Sequence, residues 1–125
     1  MATFVDSGIE YVAKLVNGVS TSPFTYMAIG SGTTEELVDQ TSLATELVDS
    51  GLSRVVSTVA YEAPGKATWY AEFDCVADGK VVNEVGIFDN ATAGNMLMRH
   101  KYISAKNLDN GDRLIVSVVF TETRS

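Results

Sequence analysis

The sequence predicts a mainly β protein: an antiparallel β-sandwich or partly closed barrel of about six strands, with one or two short N-terminal helices. Apolar and polar residues alternate through most of the chain after Gly51, the period of a strand with one buried face. Turn-forming strings, Pro64-Gly65, Asp78-Gly79 and Asp109-Asn110-Gly111-Asp112, separate these runs at short intervals. The length of 125 residues suits one domain, with a helix and short-strand region over 1–50 packed on an antiparallel meander over 51–125.

Over 6–17, Ile9, Val12, Ala13 and Val16 recur at helical spacing while Glu10, Lys14 and Asn17 fall on other faces. Asp6 or Ser7 can cap this amphipathic helix, and Gly18 is a natural stop. Tyr26-Met27-Ala28-Ile29 reads as a short buried strand. It ends in Gly30-Ser31-Gly32, where a positive φ would cost nothing. Thr33 and Glu36 fit a capping box, and Thr41 or Ser42 can cap a second short helix carrying Leu43 and Leu47. The string Glu-Leu-Val-Asp occurs at 36–39 and again at 46–49, too little for a repeat architecture.

The first strand of the meander alternates Val55, Ser57, Val59 and Tyr61 with Arg54, Val56, Thr58 and Ala60. In the next, Trp69, Ala71, Phe73 and Cys75 share one face, with Tyr70, Glu72 and Asp74 on the other. Asp78-Gly79 then predicts a tight hairpin, because the primed turn needs positive φ. Strands over 81–88, 96–102 and 114–121 complete the series. The last is apolar on both sides: Leu114, Val116, Val118 and Phe120 on one, Ile115 and Val119 on the other. The second face needs a cover, either the N-terminal helix or another subunit. For a chain of this size the helix is the expected one.

Composition narrows the function classes. Nine basic against sixteen acidic residues give a net charge of −7, which excludes a broad phosphate-neutralising face and so a nucleic-acid partner. Asp6, Glu10 and Lys14 interrupt any export signal, and the apolar run over 114–120 falls well short of the roughly 20 residues of a membrane span. Synthesis in a cytoplasm with no membrane partner is expected. Asn90-Ala91-Thr92, a formal glycosylation sequon, then reads as a turn. The single cysteine, Cys75, has no partner for an internal disulfide and shares a face with Trp69 and Phe73, which suits a core hydrophobe.

His100 lies between Arg99 and Lys101 with no nucleophile signature elsewhere. Gly30-Ser31-Gly32-Thr33-Thr34 lacks a P-loop lysine, and Glu35 and Glu36 follow it. Counted as a calcium loop from Asp109, the twelfth position is Phe120, so turn chemistry accounts for the carboxylates there. No catalytic residue, cofactor or metal ligand is assigned.

One constellation stands out. In Asn83-Glu84-Val85-Gly86-Ile87-Phe88-Asp89, Glu84, Gly86 and Phe88 share one strand face, and Val85 and Ile87 the other. A carboxylate in such apolar surroundings is expected to be buried against a cation, with Arg54, Arg99 and Lys106 as candidates. Gly86 would then allow close backbone approach.

Four segments, in order, resemble small structural proteins of tailed viruses (bacteriophage or archaeal), of the tail-fibre, tail-collar and related virion groups. They are the segment over 8–18, the Phe24-to-Thr34 run with its Gly30-Ser31-Gly32, the Thr41-Ser42-Leu43-Ala44-Thr45-Glu46 string followed by Gly51-Leu52-Ser53-Arg54, and the Asn83-to-Asp89 string followed by Met96-Leu97-Met98-Arg99. The family's acidic residue, glycine and aromatic fall on Glu84, Gly86 and Phe88, and its arginine on Arg99. The resemblance implies a virion structural protein without enzymatic activity. It would act by oligomerisation and docking, as a tail or baseplate adaptor or tail-fibre-related protein. Other virion proteins and copies of itself are the implied partners. A trimer is expected from the family, with Ile115 and Val119 as possible interface residues. Since the chain ends at Ser125, a stand-alone adaptor, decoration or cap is expected. Two alternatives remain: a capsid decoration or turret protein, and a receptor- or carbohydrate-binding module using Trp69, Tyr61, Tyr70 and Tyr102.

Overall fold

The alternation after Gly51 is realised as two stacked antiparallel sheets. A computed structural model describes residues 3–121. In chain order these form β1 (Thr3–Phe4), α1 (Asp6–Val16), β2 (Tyr26–Gly30), β3 (Val55–Val56), β4 (Thr58–Glu62), β5 (Lys66–Asp74), β6 (Lys80–Phe88), β7 (Met96–Leu108) and β8 (Arg113–Thr121). One sheet has the order β1-β7-β6-β2-β3 and the other β4-β5-β8. The result is a β-sandwich with no closed barrel. It has more strands than the expected six because β1 and β3 span two residues each, too few to leave an alternation signal.

The inner faces form the main core. Met27, Ile29, Val85, Ile87 and Met98 from the larger sheet meet Trp69, Ala71, Phe73 and Val116 from the smaller. Each large apolar side chain so buried contributes about 1.5–3 kcal/mol. Trp69 lies in this core with its Nε1–H donating to the Phe24 carbonyl at 2.7 Å. Cys75 is buried and free, its thiol against the Ala77 carbonyl. β6 is buried on both faces because a second apolar layer lies outside the larger sheet. That layer joins Val5, Ala28, Leu43, Phe88 and Met96 under the segment 31–53.

The connections are not those of a meander. β4–β5 and β6–β7 are true hairpins, but the chain changes sheet between β3 and β4, between β5 and β6, and between β7 and β8. At the first change, the Ser57 backbone N–H and hydroxyl both donate to the Thr25 carbonyl, at 2.8 and 2.7 Å, and split the predicted single strand at a corner. Asp78-Gly79 serves the second change and closes no hairpin. Gly79 has φ +71°, but its turn interlocks with the one before β8. Asp109 Oδ1 accepts from the Gly79 N–H, and Asp78 Oδ1 from the Asn110 N–H. An Asp-Gly string marks a turn; it does not say which sheet the chain enters next.

The helix runs over Asp6–Val16 and Gly18 follows it at φ +82°. Neither Asp6 nor Ser7 caps it: the N-cap is Val5, without a side-chain cap, and the Asp6 N–H donates to the Val38 carbonyl at 2.7 Å. The second helix does not form. The Ala44 and Thr45 N–H groups are taken by Glu84, Glu46 bridges to Gly30, and the Leu47 N–H donates to the Ile29 carbonyl. Backbone donors engaged in this way cannot make helical bonds.

α1 packs on β7 and leaves the outer face of β8 bare. Ile115 is 54% and Val119 56% exposed, so the helix does not provide the expected cover. The reason is Gly8, buried against the β7 backbone. A β-carbon there would lie 2.5 Å from the Leu97 carbonyl oxygen and 2.7 Å from that of Met96. Gly8→Ala, which in an exposed helix would stabilise by about 1 kcal/mol, is therefore expected to destabilise by about 1–3 kcal/mol. Denaturant midpoints of the two proteins check the sign.

Candidate functional site

Glu84 stands at the centre of a buried junction on the outer side of the larger sheet. Register places it opposite Gly30 of β2 and Lys101 of β7, with Gly86 opposite Ala28 and Arg99. Glu84 and Arg99 are both fully buried. Glu84 Oε1 accepts from Arg99 Nε at 2.7 Å and from the Ala44 N–H at 2.9 Å. Its Oε2 accepts from the Gly32 N–H at 2.9 Å and the Thr45 N–H at 2.8 Å. Burial pushes the carboxyl up, but the Thr45 N–H, the Arg99 guanidinium, and the Ala44 and Gly32 N–H groups together outweigh it. The net effect holds the group below the ordinary glutamate value.

The glycines of Gly30-Ser31-Gly32 serve this junction, and neither has positive φ. A β-carbon on Gly30 would collide with Glu84 Oε2 and the Thr45 carbonyl, and one on Gly32 with the Ala44 side chain. The loop therefore needs glycine for space, not for a left-handed backbone. Gly86 is tight as well: a β-carbon would lie 2.9 Å from Leu43 Cδ2 and 3.1 Å from Phe88 Cε1.

Of the three candidate cations, Arg99 meets Glu84. Arg54 instead forms a two-pronged pair with Glu46, Nη2 to Oε1 at 2.7 Å and Nε to Oε2 at 3.1 Å. Its guanidinium carbon lies 3.8 Å from the centre of the Phe88 ring, and Nη1 donates to the Asn90 and Ala93 carbonyls. Lys106 lies opposite Val82, with Nζ over the Tyr102 ring. Glu84, Gly86, Phe88, Arg54 and Arg99 thus all lie beneath or beside the segment 31–53.

Sequence reasoning missed Glu36 and Glu46. Glu36 Oε1 accepts from the Thr3 hydroxyl at 2.6 Å and Oε2 from the Lys101 N–H at 2.7 Å, tying the same segment to β1 and β7. The signal was in the doubled Glu-Leu-Val-Asp string, whose two glutamates are these two anchors. Segment 31–53 is thus fixed by Glu36 near its start, by Glu84 at two points, and by Glu46 near its end.

A carboxylate whose two oxygens already accept four hydrogen bonds holds structure and has no lone pair aimed at solvent. Among the described residues, no group of three or more His, Cys, Asp and Glu side chains is placed to hold a metal ion. The aromatic candidates are dispersed: Trp69 is core, Tyr70 lies on the opposite face of β5, and Tyr61 is 74% exposed on β4. Ile115 and Val119 lie away from the junction, on β8 of the smaller sheet. Beneath β8 are two interlayer clefts. One, of about 230 Å³, is lined by Phe4, Trp69, Leu97 and Phe120, and the other, of about 300 Å³, by Val85, His100, Tyr102 and Val116.

Glu84→Gln leaves Arg99 charged and dry, and is expected to cost about 3–5 kcal/mol at neutral pH. The pH dependence has a definite sign. The carboxyl titrates below its unfolded value, so its contribution is complete above about pH 4.3 and is lost as pH falls through the lower folded value. Urea midpoints of wild type and Glu84→Gln should therefore converge on acidification. A constant gap across that range would exclude the ionised pair.

The family model described as Podophage GP4 fiber I protein gp80 matches residues 11–121, from within α1 to the end of β8. A search of the curated proteins returns no match. No helix among the described residues is long and apolar enough to cross a membrane. Glu84, Arg99, Glu46, Arg54 and the whole of segment 31–53 fall inside the matched span. The chain therefore belongs to the podophage GP4 fiber I protein gp80 family, and is a fibre-related structural protein of a tailed-phage virion.

Proposed function

We propose that the protein is a non-enzymatic tail component acting by docking, as a tail or baseplate adaptor or fibre-related connector that contacts other virion proteins and copies of itself. One observation carries this reading: a sandwich clamped by its buried junction, with a contiguous set of apolar side chains exposed around Phe4. Phe4 is 39% exposed and packs edge-on against Phe120, with ring centres 5.3 Å apart. Ile9 and Val12 of α1 adjoin them across Leu97. Ile9 is 58% and Val12 38% exposed. Contiguous apolar surface of this kind on an otherwise acidic protein marks a contact with another protein. The net charge of −7 opposes contact with the packaged genome.

Antibody labelling of intact particles in the electron microscope separates tail from capsid. Label on the tail is expected; label over the head would replace this reading with capsid decoration. Val12→Glu places a charge in this apolar set without touching the junction. It should lower incorporation into particles by about tenfold or more, equivalent to about 1.4 kcal/mol, with the melting temperature unchanged. Normal incorporation would remove this surface from the docking site.

A further inference from the structure

β8 is an edge strand unlike the others. Within the described residues it pairs with β5 alone, so the backbone N–H and C=O groups along its other side have no ladder partner. Edge strands are ordinarily blunted by charge, proline or shortness. β8 spans nine residues, and from Leu114 to Thr121 it has no charged residue and no proline. The other edges are shorter: β1 and β3 span two residues each, and β4 spans five. The clefts beneath β8 show that the sandwich stays open along this side.

The residues of β8 are arranged symmetrically about Ser117. Val116 and Val118 flank it, then Ile115 and Val119, then Leu114 and Phe120. Ile115 and Val119 stand on the outer face, more than half exposed, while Val116 is buried in the core. An antiparallel pairing of β8 with itself, centred on Ser117, would set Ile115 opposite the partner's Val119 on the outer face. On the inner face it would set Val116 opposite the partner's Val118 and Leu114 opposite the partner's Phe120, above the interlayer clefts. Two chains of charge −7 repel each other, and the uncharged run over 114–121 of this strand is where they can meet without opposing like charges.

We infer that the β8 edge is a self-recognition surface, and that a second copy of this chain pairs its β8 there across a two-fold axis through Ser117, joining two three-stranded sheets into one. Such a contact is isologous, each copy using the same patch. Main-chain bonds provide the attraction and the Ile115/Val119 stripe fixes the register. The inference rests on the self-association part of the proposed function, with a two-fold pair in place of the trimer that the family resemblance implies. Its test reads mass in solution and not particle incorporation, so the two fail separately.

Sedimentation of the full chain at micromolar concentration is expected to show a dimer. Ile115→Lys with Val119→Lys sets like charges opposite each other twice, and should weaken association by about tenfold or more. Ile115→Glu with Val119→Lys sets opposite charges there and should restore the dimer. Melting temperatures near that of wild type establish that both doubles fold. Ser117→Cys lies on the axis, where facing Cα atoms stand about 4.5–5.5 Å apart. A disulfide spans that distance, so mild oxidation should trap a covalent dimer while buried Cys75 stays reduced. A monomeric or trimeric wild type, two double variants of equal association, or no cross-link at Ser117→Cys would overturn the inference.

Discussion

A single carboxylate, taken wholly out of water, organises the larger sheet and the segment that covers it. Without donors, an ionised Glu84 would be prohibitively costly at its depth. Four donors converge on it, from Arg99, Gly32, Ala44 and Thr45. Three of these are backbone groups of a segment with no helix of its own, so satisfying the charge is also what gives that segment a fixed path. The requirement spreads outward. Gly30 and Gly32 must be glycine because the carboxylate oxygens and the chain at 44–45 occupy the space of their side chains. Leu43 then reaches Phe88 and Met96, and Arg54 closes over the ring of Phe88.

The legible part of the fold followed from period and face. Alternation placed Trp69, Ala71 and Phe73 inward, and the same rule singled out Glu84 as a carboxylate among apolar neighbours. Donors on the backbone were invisible to such reasoning, since any residue at 44 or 45 other than proline carries the same N–H. That is why 41–47 looked like a capped helix: its side chains permit one, and only the distant carboxylate removes the option. The glycine-rich loop was misread for a related reason. Glycine signals freedom of backbone and lack of bulk alike, and local sequence does not separate the two. Turn strings misled at Asp78-Gly79, where the reversal is real but the next strand joins the other sheet.

Membership of a phage fibre family gives these features a common sense. A component of a virion must keep its shape while its surface engages other proteins. Here the shape depends on buried or half-buried pairs, Glu84 with Arg99 and Glu46 with Arg54, that salt screens far less than it screens exposed charges. The exposed pairs, Arg113 with Asp74 and Glu72, and Lys14 with Glu10, contribute little by comparison. The junction lies on the outer side of the larger sheet, while the apolar surfaces proposed for contact lie on β1 and α1 and on β8 of the smaller sheet.

The register also dictates an order of assembly on the ribosome. β1 pairs through Thr3 and Phe4 with Arg99 and Met98, about three-quarters of the chain away. Segment 31–53 leaves the exit tunnel well before the carboxylate that fixes it, and Arg99 emerges later still. Until residue 99 is free the first half of the chain has neither its outer-face anchor nor its edge partner. The anchor is made after the thing it anchors, so long-range closure is the slow step in folding of the larger sheet.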